Sequence, residues 1–250
     1  MELMIEKLLG FMLILTRISS FFLVIPVFSW KTIPVRIKIA LILLMTVFFS
    51  TIFPYGAYLK KVSTLESIIL IANESLYGFV LGLIVVLIFS AVKLSGRIIE
   101  REMGLALAET LDPLTEERGQ PMGMLLEIIF IFLFLSANGH HLFLLIISRS
   151  YETFPAGSIP TIPVLVSGVI KAGSTMFVAG LRLAAPMMAA FLLLLVILAV
   201  FARIMPDMNI LFISMPLRVG LGLLMTGMFL PFINGFTSEF AEWMGKLLPL

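Results

Sequence analysis

The sequence predicts an all-α, membrane-associated protein of kinked and interrupted helical hairpins, and three observations predict it. Of its 250 residues, 60% are hydrophobic and only 13% are charged, whereas soluble domains carry about 25% charged residues. Mean hydropathy is +1.14. The apolar residues also gather into about six runs, long enough for the most part to cross a hydrocarbon layer of about 30 Å at about 1.5 Å per helical residue. Within lipid an unmatched backbone N–H or C=O is too costly to leave exposed, so helix is the expected state. No alternating pattern suggests a β-barrel.

The same composition excludes several classes of function. Lys plus Arg is 17 and Asp plus Glu is 15, a net charge of +2, so there is no basic face and no nucleic-acid partner is expected. The absence of cysteine removes disulfides, thiolate metal sites and Cys nucleophiles. The 16 methionines read either as lipid-facing, gap-filling side chains or as a deformable lining around a passage. No phosphate-binding Gly-x-x-x-x-Gly-Lys-Ser/Thr loop, His-Glu-x-x-His helix or Gly-x-Ser-x-Gly elbow occurs, and no nucleophile is placed beside a base. Neither an enzyme, nor a metal, nor a cofactor is expected.

The first run, Leu8–Phe28, reads as a retained helix: the start is not clearly positive, Arg17 interrupts the core and no Ala-x-Ala cleavage site follows. Pro26 and Pro34 bracket a short turn with Ser29, Trp30 and Lys31. The second run, Ile37–Phe53, is marginal in length and ends at Pro54 and Gly56. The third, Ile68–Ala91, carries the Gly78 and Gly82 pair at Gly-x-x-x-Gly spacing, which favours close helix contact without naming the helix. The fourth is Leu125–Ile147. Pro155, Gly157, Pro160 and Pro163 then predict a stiff, extended linker, dividing the chain into 1–160 with four runs and 161–250 with two. The fifth, Ala172–Phe201, is long enough to tilt or kink. The sixth, Ile210–Ile233, holds Gly220, Gly222 and Gly227. Pro206 and Asn209 mark a tight turn that makes the last two runs a hairpin. Pro186 and Pro216 each free a carbonyl within a run. If every run spans once, the two sides carry eight and six basic residues, too even a split to orient the chain.

Arg17, Glu74, Glu127, Arg182 and Arg218 lie within apolar runs, where a charge at mid-membrane costs about 2.5–3.5 kcal/mol. Each therefore needs a partner, water or another subunit. They read as paired polar anchors that fix helix register and mate with partner subunits, or as an acid and an arginine facing a cavity on an ion path. Arg17 and Arg218 can also snorkel from near the run ends. His140 and His141 are adjacent, and neighbouring side chains diverge by about 100° on a helix, a poor setting for a metal pair. They read as hydrogen-bonding anchors.

The most polar stretch runs from Lys93 to Gly123. Lys93, Arg97 and Arg101 share a helix face at four-residue spacing and Glu100 lies on an adjacent one. Asp112-Pro113 predicts a turn. The stretch reads as a solvent-exposed loop or as a loop folded into a passage.

Several short motifs, in their order and spacing, resemble the FliR/SctT family of type III secretion export-gate subunits. They are Arg17-Ile-Ser-Ser-Phe-Phe with Pro26-Val-Phe and Ile33-Pro34, Leu111-Asp112-Pro113, and Asn138-Gly-His-His141 with Ser150 and Phe154-Pro155. Leu183-Ala-Ala-Pro186 and Arg203-Ile-Met-Pro206-Asp-Met-Asn209 complete the set. The resemblance covers almost the whole chain, and the Asn-Gly-His-His stretch points to the flagellar branch. It implies a structural, pore-forming subunit of the flagellar export gate in the bacterial inner membrane and basal body, passing unfolded rod, hook and filament proteins. Five copies of FliP and four of FliQ would surround one such subunit, largely above the membrane plane, with FlhB outside and the rod protein FliE above. Residues 1–160 would correspond to a FliP-like part and 161–250 to a FliQ-like hairpin. The plug loop of the family falls on Ala106, Leu107, Ala108, Glu109, Thr110, Leu111, Asp112, Pro113, Leu114, Thr115, Glu116, Glu117, Arg118, Gly119, Gln120, Pro121 and Met122. Arg203 and Asn209 join the buried charges and histidines as candidates for polar or subunit contacts. Read from the residues alone, a self-contained transporter or channel and a non-conducting assembly scaffold remain open.

Overall fold

A computed structural model of the chain describes residues 2–29, 33–53, 63–105, 121–158, 162–206, 210 and 212–228. These residues are helical apart from short breaks and turns, as the composition requires. In order come α1 (Glu2–Val24), α2 (Pro26–Ser29), α3 (Val35–Ile52), α4 (Thr64–Met103), α5 (Pro121–Ser136), α6 (His140–Thr153), α7 (Ile162–Ile204) and α8 (Phe212–Met228). Among the described residues, α1, α3, α4 and α7 are long and apolar enough to cross a membrane, and α5 with α6 makes a fifth span if the broken pair is counted as one.

The helix ends follow from local chemistry. α1 stops at Ile25 because Pro26 has no N–H to donate and disfavours helical geometry in the residue before it. α4 opens with a capping box. The Ser63 N–H donates to the Glu66 carboxylate at 2.7 Å, and the Glu66 N–H donates to Ser63 Oγ at 3.3 Å, so two otherwise orphaned donors are satisfied. It closes at Gly104, whose φ of 77° is left-handed. There the Gly104 N–H donates to the Arg101 carbonyl at 3.0 Å and the Leu105 N–H to the Glu100 carbonyl at 3.3 Å, the paired bonds of a Schellman stop. Within the helices, hydroxyls satisfy themselves on the preceding turn: Thr46 Oγ1 donates to the Ile42 carbonyl and Thr226 Oγ1 to that of Gly222, both at 2.7 Å.

Three expected boundaries are corrected. Lys93 to Met103 continues α4 directly, as the shared helix face of Lys93, Arg97 and Arg101 implied and against the loop reading of the stretch, because a helix ends where its caps say and not where its apolar run stops. The linker before the fifth run is not extended to Pro163: α7 begins at Ile162, and a proline in the first helical turn is tolerated since those N–H groups lack intrahelical acceptors anyway. The fourth run is broken rather than continuous. Asn138 adopts a left-handed φ of 60°, a conformation Asn tolerates better than most residues, and α6 restarts at His140. Trp30, Lys31, Pro54, Gly56, Pro160 and Asn209 lie outside the described residues.

The described residues group into two compact units. The first gathers those up to Ile88 and Asn138 to Ser174; the second gathers Phe89 to Ala137 and those from Thr175 onward. In the first, α1 packs on α3, with Ile14, Ile18, Phe21, Phe49, Tyr77 and Phe143 buried. Gly78 and Gly82 face α1: a Cβ on Gly78 would collide with the Arg17 carbonyl, and one on Gly82 would reach Val24 Cβ at 2.9 Å. The Gly-x-x-x-Gly pair thus lets α4 lie directly on α1. In the second unit, Phe89 meets Phe130 and Phe134 edge-on, each at 5.2 Å between centroids. Gly96 and Gly123 bring the backbones of α4 and α5 together, since a Cβ on Gly96 would lie 2.5 Å from Gly123 Cα. α3 and α7 leave wide apolar faces exposed, including Leu44, Val47 and Phe48 on one and Leu192, Leu193 and Val196 on the other.

Candidate functional site

The first unit holds a charge cluster drawn from three helices and one turn. Arg17 sits on α1 at 2% exposure and Glu74 on α4 at 1%, 57 residues away in sequence. Their side chains meet as a fork. Nε of Arg17 donates to Oε2 of Glu74 at 2.5 Å, and Nη2 donates to Oε1 at 3.0 Å. The outer Nη1 donates to the Ser150 carbonyl at 3.1 Å and the Phe154 carbonyl at 2.9 Å, with Ser150 Oγ at 3.4 Å. Glu74 Oε1 in turn accepts the Gly157 N–H at 2.8 Å. Arginine suits this place because its planar guanidinium presents fixed donors to both a carboxylate and carbonyls.

Aromatic rings flank the guanidinium. Its carbon lies 4.7 Å from the centroid of Tyr77 and 4.2 Å from that of Tyr151, positions in which the ring quadrupole attracts a cation. Tyr151 is fixed by its own hydroxyl, which donates to the Ile14 carbonyl at 3.3 Å. Phe154 lies edge-on to Tyr77 at 5.3 Å. The turn that supplies Phe154 and Gly157 is short: the Ser158 N–H donates to the Pro155 carbonyl at 2.9 Å, and Gly157 takes a φ of 88° that only glycine adopts without strain. Arg17 therefore does not snorkel; it is enclosed with a matched acid. The bonds of the pair join four chain segments: α1, α4, α6 and the turn after α6.

The remaining candidates are dispersed. Glu127 on α5 pairs with Lys93 on α4 at 3.4 Å at a partly exposed site. His140 and His141 are exposed with ring centroids 4.3 Å apart, and neither imidazole makes a hydrogen bond to a described residue. Arg182 lies on an exposed face of α7, and Arg203 is exposed in its last turn, where the helix dipole favours a cation. Arg218 is half-buried on α8. Among the described residues no three His, Asp or Glu side chains cluster as a metal set. Of the loop candidates, Ala106 to Gln120 and also Asn209 lie outside the described residues. Pro121 opens α5 and is exposed, while Met122 is buried. The polar stretch is thus flanked by the Gly104 stop of α4 on one side and a first-position proline on the other.

Tyr77, Tyr151 and Gly157 were not legible as members of the cluster. Tyr77 stands three residues after Glu74, on the same helix face, and that spacing is the one signal the sequence offers for it.

Helices of this length and greasiness, with the buried Arg17 and Glu74 paired inside the chain, define an all-α membrane-associated protein. The chain matches the family model for bacterial export proteins, family 1, over residues 8–243, and it belongs to that family. The membership expected from the short motifs is borne out. Its relatives include three proteins named flagellar biosynthetic protein FliR. That of Pectobacterium carotovorum subsp. carotovorum is 29% identical over 93% of this chain and 88% of its own length. That of Escherichia coli strain K12 is 28% identical over 94% and 89%, and that of Bacillus subtilis strain 168 is 28% identical over 90% and 87%.

Proposed function

We propose that the chain is a structural, pore-forming subunit of the flagellar type III secretion export gate, passing unfolded rod, hook and filament proteins across the inner membrane. The observation that carries this reading is the family match over residues 8–243, with relatives named for flagellar biosynthesis. The architecture supports it. Apolar faces on α3 and α7 are left exposed for lipid or neighbouring subunits, and the interrupted α5 and α6 suit a chain that ends among protein neighbours rather than as a row of simple spans. In this reading FliP and FliQ pack around the chain in five and four copies, FlhB lies outside and FliE meets the upper end. Residues 1–160 act as the FliP-like part and 161–250 as the FliQ-like hairpin. The segment Ala106 to Met122 closes the passage.

The test is to delete Leu107 to Gly119 in the coexpressed complex and measure leakage of small ions across a membrane. A leak from an intact complex is the expected result. A complex that assembles and stays tight would mean that this segment does not seal the passage, leaving a scaffold role. Copurification with FliP and FliQ checks the assembly separately.

A further inference from the structure

Both members of the Arg17–Glu74 pair reach past each other to the turn that leads into α7. Arg17 Nη1 donates to the Phe154 carbonyl, and Glu74 Oε1 accepts the Gly157 N–H. These two contacts have opposite polarity. The turn presents an acceptor on the side of position 17 and a donor on the side of position 74, so the order of the charges matters as much as their neutralisation. Ser150 repeats the demand at position 17 by offering its carbonyl there. A pair needed only to cancel its own charge would have no such requirement.

From this polarity we propose that Arg17 and Glu74 form a directional latch on the Phe154–Ser158 turn, a positioning pair that sets where the chain enters α7. The site is complete within one chain. Among the described residues the fork uses both carboxylate oxygens and two aromatic rings cover the guanidinium, leaving Arg17 2% and Glu74 1% exposed. The latch concerns this chain alone and does not rest on the export reading.

Thiol accessibility reads the latch directly, because the chain contains no cysteine. Ser158 Oγ is buried and without a hydrogen-bond partner among the described residues, so Ser158→Cys places a shielded thiol in the turn at little cost. Ala91→Cys, at a fully buried position of the second unit, serves as a control for general unfolding. The full-length protein in membranes is treated with a maleimide. Glu74→Ala is expected to speed labelling at position 158 by about tenfold or more, as local opening does, while position 91 stays protected. The reversed pair, Arg17→Glu with Glu74→Arg, is expected to label as fast as Glu74→Ala, because it turns a carboxylate toward two carbonyls and a guanidinium toward an N–H. Restored protection in the reversed pair would show that charge cancellation suffices and would overturn the latch. Should the single or reversed variants also expose position 91, Glu74→Gln decides, since it keeps an oxygen for the Gly157 N–H. Protection at 158 greater in Glu74→Gln than in Glu74→Ala supports the latch; equal labelling of the two overturns it.

Discussion

At the scale of the residue, the contrast between two ion pairs shows what burial does to the worth of a charge. Arg17 and Glu74 are enclosed, so removing one partner leaves the other with neither water nor a counter-charge. Glu74→Ala is expected to destabilise the folded chain by about 3–5 kcal/mol, read as a lowered midpoint of thermal unfolding in detergent. Glu127 pairs with Lys93 at a partly exposed site, and Glu127→Ala is expected to cost less than about 1 kcal/mol in the same assay. The glycines give a second contrast. Gly78→Leu drives a side chain into the Arg17 carbonyl and should separate α4 from α1, whereas Gly173, with nothing within 4 Å of its Cβ position, should accept alanine without loss of stability. That Arg17 and Glu74 each need a partner was readable from their place in apolar runs, whereas the enclosure of Arg17 was not, since a charge near a run end can equally snorkel. Their pairing was not, because contact across 57 residues is fixed by how the helices pack, and nothing in either run records the other.

At the scale of the element, the caps decide where helices begin and end. Ser63→Ala removes the capping side chain of α4 and is expected to cost about 1 kcal/mol, seen as faster amide exchange in its first turn. Asn138→Val should cost about 1–2 kcal/mol because its backbone is left-handed, while Asn138→Gly should be tolerated; unfolding in detergent separates the two. Both signals were present in the sequence, as Ser63-Thr-Leu-Glu66 and Asn138-Gly139. Hydropathy alone passes over them, since it reports which residues prefer lipid and not which backbone groups are satisfied. For the same reason the apolar run of α4 gave its middle correctly and missed the turns from Lys93 to Met103. The six apolar segments themselves were legible, because length and greasiness are properties of the run and need no tertiary partner.

At the scale of the whole molecule, the exposed apolar faces set the expectation for how the chain behaves. Leu193 on α7 is exposed, and surface substitutions away from special features change stability by no more than about 0.5 kcal/mol. Leu193→Lys is therefore expected to leave the unfolding midpoint in detergent unchanged. On the proposed function it should lower recovery of the chain with FliP and FliQ or its retention in membranes. Unchanged recovery and retention would assign the face to neither lipid nor subunits.

The two caps of α4 carry a consequence for depth. Forty residues of unbroken helix make a rod of about 60 Å, and even at a tilt of about 40° it rises about 45 Å, against a hydrocarbon layer of about 30 Å. Its ends cannot both lie in lipid. The helix is in effect a graduated dipstick: once a single position along it is found at the lipid surface, the levels of its neighbours on the same turns are read off the scale at about 1.5 Å per residue.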